Sequence, residues 1–144
     1  MCATNLWAVN AAAFTPHFSG FTAERIGVEP TPVDMHIASS RVRKSSAVFT
    51  LTHNMCDCST LIGCGRDSAA GDETSADAWL GWLRELPDNV PHVSRVAVLR
   101  AWSPEEDSVT PERARGIHVR ELTEDILRDV RDEMLLTIDY PRVV

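Results

Sequence analysis

Hydrophobic positions are unevenly patterned along the chain. Over the first thirty residues they follow no clear period. Trp7, Phe14, Phe18 and Phe21 can pack onto a core, while Pro16, Gly20, Gly27, Pro30 and Pro32 interrupt the backbone. Val33, Met35 and Ile37 then alternate as a short strand, and Arg41-Val42-Arg43-Lys44 makes a basic, solvated turn. Ala47, Phe49 and Leu51 form one face of a strand that runs to Thr52, and a period of two carries His53 onto the same face. Cys56 to Gly71 is loop, rich in Gly, Ser and Asp.

The second half is more regular. Thr74 or Ser75 caps a helix, Asp77 favours its first turn, Trp79, Trp82, Leu83 and Leu86 form one stripe, and Pro87 ends it. Val93 to Trp102 reads as a central strand, largely apolar on both faces, with Val96 and Val98 on one and Ala97 and Leu99 on the other. Ser103-Pro104-Glu105-Glu106 and Thr110-Pro111-Glu112 carry helix-start signals without an apolar stripe behind them, which predicts single turns at most. Ile117 and Val119 mark a short strand. Thr123 caps a second helix, in which Ile126, Leu127 and Val130 face inward and Leu122 and Leu127 form a hydrophobic staple. Leu136, Ile138 and Tyr140 make the last strand, stopped by Pro141.

From residue 46 onward the order is strand, helix, strand, strand, helix, strand. That succession predicts an α+β domain with a ferredoxin-like βαββαβ core over 46–144, in which an antiparallel sheet carries two helices on one face. Residues 1–45 become an extension that adds an extra strand and covers an edge or the open face. There is no internal repeat, low-complexity segment or linker, so residues 1–144 are read as a single domain.

Composition narrows the function more than the fold. At 144 residues, with 44% hydrophobic and 24% charged positions, the chain can bury a core without staples. No apolar run approaches the roughly 20 residues that span a bilayer. Met1 to Phe14 lacks a basic leader region and is broken by Asn5 and Asn10, so it is read as part of the fold and not as a signal peptide. A reducing cytoplasm is then the expected location, with the cysteines present as thiols or metal ligands. The net charge of −7 argues against nucleic acid or a membrane surface as partner. The excess is local: residues 1–70 hold five acids and five bases, whereas residues 71–144 hold sixteen acids and nine bases.

The candidate chemistry is concentrated in one stretch. His53, Cys56, Cys58 and Cys64 place one imidazole and three thiols within twelve positions, the donor set that zinc or copper(I) prefers. The loop follows the first core strand directly and contains glycines that let it wrap an ion. Cys56 and Cys58 are separated only by Asp57, and side chains at i and i+2 of an extended strand stand about 7 Å apart, so a shared metal requires a turn at Asp57. Two other readings of the same residues exist. His53 can lower the pKa of Cys56, giving a redox centre or nucleophile that Cys58 or Cys64 resolves. Alternatively the cysteines are buried small hydrophobes and His53 bonds a carbonyl. The metal site is the most specific expectation.

Further motifs carry less. Cys2, exposed by removal of Met1, has the makings of an N-terminal nucleophile. Gly63-Cys64-Gly65-Arg66, with Ser68 and Gly71, resembles a backbone nest for an anion but matches no nucleotide fingerprint. Glu105, Glu106 and Asp107 fit helix-dipole complementation, and the acids at 124, 125, 129, 132 and 133 alternate with Arg128 and Arg131 as a solvated face. The acidic second half also suits a non-catalytic, inhibitor-like module for a basic protein partner, with Trp79, Trp82 and Trp102 as anchors if they are exposed.

Overall fold

A strand that no period marks in the sequence lies at the heart of the sheet. In the computed structural model, which describes residues 3–52, 60–63, 74–102 and 108–141, the first element is β1, Ala3–Val9. After a 3-10 turn at Ala11–Ala13 come α1 (Pro16–Ile26), β2 (Thr31–Pro32), β3 (His36–Ile37), β4 (Ala47–Thr50) and α2 (Ala76–Asn89). They are followed by β5 (Arg95–Trp102), β6 (Ser108–Val109), β7 (Arg113–His118), a 3-10 turn at Val119–Glu121, α3 (Glu124–Arg128) and β8 (Met134–Asp139). Six strands form one sheet in the order β2-β4-β1-β5-β8-β7, and β3 pairs with β6 in a separate parallel ribbon.

β1 is flanked by β4 and β5, antiparallel to both, with Trp7 opposite Phe49 on one side and Val98 on the other. Trp7 and Val9 enter one core, Leu6 and Ala8 the other. A strand buried on both faces has no polar face to alternate with, which is why no period marks it in the sequence. Its position changes the topology. β4, α2 and β5 form a βαβ unit whose two parallel strands are separated by β1, whereas in the ferredoxin-like order β7 would separate them. β7 instead lies at the far edge, parallel to β8, so the sheet is mixed and not wholly antiparallel. The α+β class and the placing of the helices on one face hold; the ferredoxin-like strand order does not.

The helix-bearing face is aromatic. Phe18 and Ile26 of α1, and Trp79, Trp82, Leu83 and Leu86 of α2, pack with Leu127 of α3 over Trp7, Phe49, Val96, Val98, Leu136 and Ile138. Trp7 stacks on Trp79 with centroids 5.6 Å apart and meets Trp82 edge-on at 5.2 Å, the two arrangements that aromatic quadrupoles favour. The indole Nε1 of Trp82 donates to Thr22 Oγ1 at 3.0 Å, which joins α2 to α1 inside the core. Leu6, Ala8, Val48, Ala97, Leu99 and Leu135 form the opposite face, covered by Ile37 and Val42.

Local signals explain most helix boundaries. α1 has a full set: Thr15 accepts from Phe18 N, Pro16 opens the helix, and Gly27 closes it in the left-handed conformation at φ 79°. Ser75 caps α2 and Thr123 caps α3, as expected from the sequence. Pro87 is an exception, because α2 continues through it to Asn89. Proline cannot donate to the carbonyl four residues back, here Leu83, but the hydroxyl of Tyr140 donates to that oxygen at 2.6 Å. The orphan acceptor is therefore satisfied from outside the helix.

Three short elements also depart from expectation. Val33–Ile37 is not one strand: Thr31–Pro32 pairs with β4 at the sheet edge, where proline is tolerated, and His36–Ile37 pairs with β6. The strand around Ile117 begins earlier, at Arg113, and stops at His118, after which Val119 belongs to a 3-10 turn capped by His118 and Glu121. Thr110-Pro111-Glu112 makes no helical turn and runs into β7, while Ser103–Asp107 lies outside the described residues.

Candidate functional site

The four proposed ligands, His53, Cys56, Cys58 and Cys64, fall in two segments, 53–59 and 64–73, that lie outside the described residues, as does Asp57. Thr50 pairs with Leu6, and Leu51 is buried on the helix-bearing face just before the chain reaches His53. Between the two segments, Thr60–Gly63 returns to the same end of the sheet. Thr60 Oγ1 accepts from Asn5 Nδ2 at 3.3 Å, and Leu61 and Ile62 are buried in the main core. Gly63 N donates to Leu127 O at 3.0 Å, and Thr74 Oγ1, beyond the second segment, donates to Ile26 O at 2.9 Å. A short stretch between Cys58 and Cys64 is thus fastened to β1, α3 and the core.

Arg100 is the centre of this fastening. It lies opposite Asn5 in the β1–β5 register, on the helix-bearing face, and is only 5% exposed. Its Nη1 donates to the carbonyl of Ile62 at 2.9 Å and approaches Asn5 Oδ1 at 3.5 Å, while Nε meets Asp132 Oδ1 at 3.3 Å. Asp132 itself is half exposed. Gly63 fits against the guanidinium because it has no side chain: a Cβ there would run into Arg100 Cδ, Nε and Nη1. Its φ of 83° also demands glycine. The apolar pattern of the strand gives Arg100 no role. Its place between Leu99 and Ala101, inside a central strand, is the signal the sequence offers, since arginine there is buried only where oxygens receive it.

The remaining candidates divide similarly. Of the proposed anion nest, Gly63 is described and is occupied by the Arg100 contact, while Arg66, Ser68 and Gly71 lie outside the described residues, as do Cys2, Glu105, Glu106 and Asp107. Trp79 and Trp82 are core residues, 2% and 0% exposed, and not surface anchors. The acids of the last third are interleaved with bases: Glu124 pairs with Arg128 and Asp132 with Arg100. Among the described residues, no group of three or more His, Cys, Asp or Glu is placed to hold a metal, and the four proposed ligands are not among those residues. No described helix is long and apolar enough to cross a membrane. Compared with known proteins, the chain matches no family model, no curated protein and no solved structure.

Proposed function

We propose that this chain is a thiolate metal-binding protein in which His53, Cys56, Cys58 and Cys64 hold zinc or copper(I), with Arg100 as the fixed counter-charge at the base of the loop. The observation that supports the reading is the buried guanidinium bonded to the carbonyl of Ile62, two residues before Cys64 in the chain. Three thiolates and an imidazole around a divalent ion leave one unit of negative charge over, and around copper(I) they leave two. Asp132, which is paired with Arg100, is half exposed and screened by water, so the buried guanidinium keeps part of its charge to lower the cost of that excess and favour thiolate over thiol. The anchoring of Thr60–Gly63 also supports it, because a loop tied at its middle loses less entropy when it closes on an ion.

The test is elemental analysis of the purified protein, followed by titration with zinc and with copper(I) under reducing conditions. A stoichiometric metal content that falls when Cys58→Ser or Cys64→Ser is introduced is the expected result. A folded, metal-free protein that takes up neither ion would end this reading. Native thiol labelling then distinguishes what remains: inert cysteines that react only after unfolding are packing residues, whereas one fast-reacting cysteine marks thiol chemistry.

A further inference from the structure

On the opposite face of the sheet, the small residues of one cross-strand row leave a hollow. Gly116, Thr137, Ala97 and Ala8 are successive partners across β7, β8, β5 and β1; the Arg41 side chain lies over Gly116, and the space over Ala97 and Ala8 stays open. The next row on the same face carries Asp139 paired with Arg95, at the end where β1 gives way to Asn10. The turn at residues 41–46 folds over this end, with Val42 buried against the sheet, and leaves a cleft of about 360 Å3 floored by Ala8 and Ala97. This turn is not the freely solvated one expected from the sequence. It brings Arg41 and Arg43 to the cleft opposite Arg95.

The three guanidiniums are differently engaged. Arg95 is ion-paired with Asp139 through Nε and donates through Nη1 to the carbonyl of Arg41 at 2.8 Å, so it is fixed in place. The side chains of Arg41 and Arg43 have no hydrogen-bonded or ion-paired partner among the described residues. Arg41 reaches across Gly116, where a Cβ would strike its Nη1 and touch Thr137 Oγ1 at 3.2 Å. That hydroxyl is fully buried and makes no hydrogen bond among the described residues. Asn10 and Ser94, bonded to each other at the rim, add neutral donors and acceptors.

We infer that this cleft binds a small phosphomonoester. Charge selects the class: three guanidiniums against one carboxylate leave two positive charges, which match a phosphomonoester dianion and exceed what a single carboxylate can use. Size and surface agree, since the volume falls in the range of small-molecule sites and the floor is apolar. In a chain of net charge −7, three arginines converge on this hollow against one acid, Asp139, in its lining. The inference does not depend on the metal reading, because none of the four proposed ligands lines the cleft.

Calorimetric titration of the full chain at neutral pH and low salt tests it, with inorganic phosphate, phenyl phosphate and benzoate as probes. Saturable binding of both phosphates is expected, phenyl phosphate being tighter and benzoate at least about tenfold weaker. Arg41→Gln and Arg43→Gln, both at exposed positions, each weaken phenyl phosphate by about tenfold or more while the circular dichroism spectrum stays unchanged. Affinity also falls as the pH drops through the second phosphate ionisation near 6. Absence of saturable binding, benzoate as tight as phenyl phosphate, or binding that survives both substitutions together would each overturn the inference.

Discussion

The hydroxyl of Tyr140 donates to the main-chain oxygen of Leu83, and Leu83 is the residue whose helical donor Pro87 has removed. The bond spans 2.6 Å in a buried setting and joins the end of β8 to the middle of α2. Tyr140→Phe leaves that carbonyl buried without a donor, at a cost of about 1–3 kcal/mol in urea unfolding. Pro87→Ala restores a helical N–H to the same oxygen. The penalty of Tyr140→Phe should therefore shrink in the Pro87→Ala background, and equal penalties in both backgrounds would show that the two groups do not share this acceptor.

Alkaline pH probes the same contact. Burial raises the Tyr140 phenol above its ordinary value of 10.0. A group whose pKa is raised on folding contributes stability that is complete below the unfolded pKa and is lost above it, because the unfolded chain then holds fewer protons. Stability should be flat with respect to this group up to about pH 9 and fall beyond pH 10. Tyr140 is the only tyrosine, so its ultraviolet ionisation reports a single residue. Ionisation with a normal midpoint and no loss of structure would contradict its burial.

Gly63 and Arg100 form a second interlocked pair. Gly63→Ala forces a side chain into a left-handed backbone position and against the guanidinium, and should cost about 1–3 kcal/mol or more. Replacing Arg100 with Met removes the collision but not the backbone strain, so the double variant recovers only part of the loss. Arg100→Met alone takes one donor from the Ile62 oxygen, which keeps Thr60 Oγ1 at 3.3 Å, and removes the contact with Asn5 Oδ1, at a total cost of about 1–3 kcal/mol. It should also weaken zinc uptake about ten- to a hundredfold, the usual effect of removing a group that supports metal ligands. Unchanged uptake in a folded Arg100→Met protein would remove Arg100 from the proposed site.

The buried bond between Trp82 and Thr22 gives a fourth prediction. Thr22→Val keeps the shape and deletes the acceptor, which leaves the indole N–H unpaired in the aromatic core. The expected loss is about 1–3 kcal/mol, measured by denaturant titration, with tryptophan fluorescence shifting because the indole loses its hydrogen bond. Thr22→Ser keeps the hydroxyl and should cost less. If Val and Ser behave alike, packing and not the hydrogen bond links α1 to α2.

The elements that could be read from the sequence were those with one polar face or a clear cap. α2 announced itself through Trp79, Trp82, Leu83 and Leu86, and α3 through Thr123. β5 was legible because Val96 to Leu99, apolar on both faces and bounded by turns, fit a central strand. β1 has the same character but is interleaved with Asn5 and followed by alanines, so no period marks it, and without a central β1 the order of the sheet cannot be read. α1 carried its signals in plain view: Thr15 before Pro16, and Gly27 after Ile26. The aromatic residues between them form no simple stripe, so the periodicity does not join these signals into a helix. The candidate chemistry divides along the same line. Spacing singled out the cysteines, but nothing in spacing could bring Arg41 and Arg43 to Arg95, a contact that depends on how a turn folds over a distant pair of strands.

The central place of β1 has a consequence for how the molecule is made. Val9 pairs with Ala47 on one side and with Val96 on the other, and Ala3 pairs with Trp102. During synthesis the strand therefore waits through most of the chain before its second neighbour leaves the ribosome. Until then, the edge of β1 that will receive β5, backed by Trp7, stays open to wrong partners. Loop closure over such a separation slows folding, and an unpaired apolar edge invites association with other nascent chains. Stalling synthesis before Arg95 should yield an aggregation-prone nascent chain, whereas release beyond Asp139 lets the sheet close.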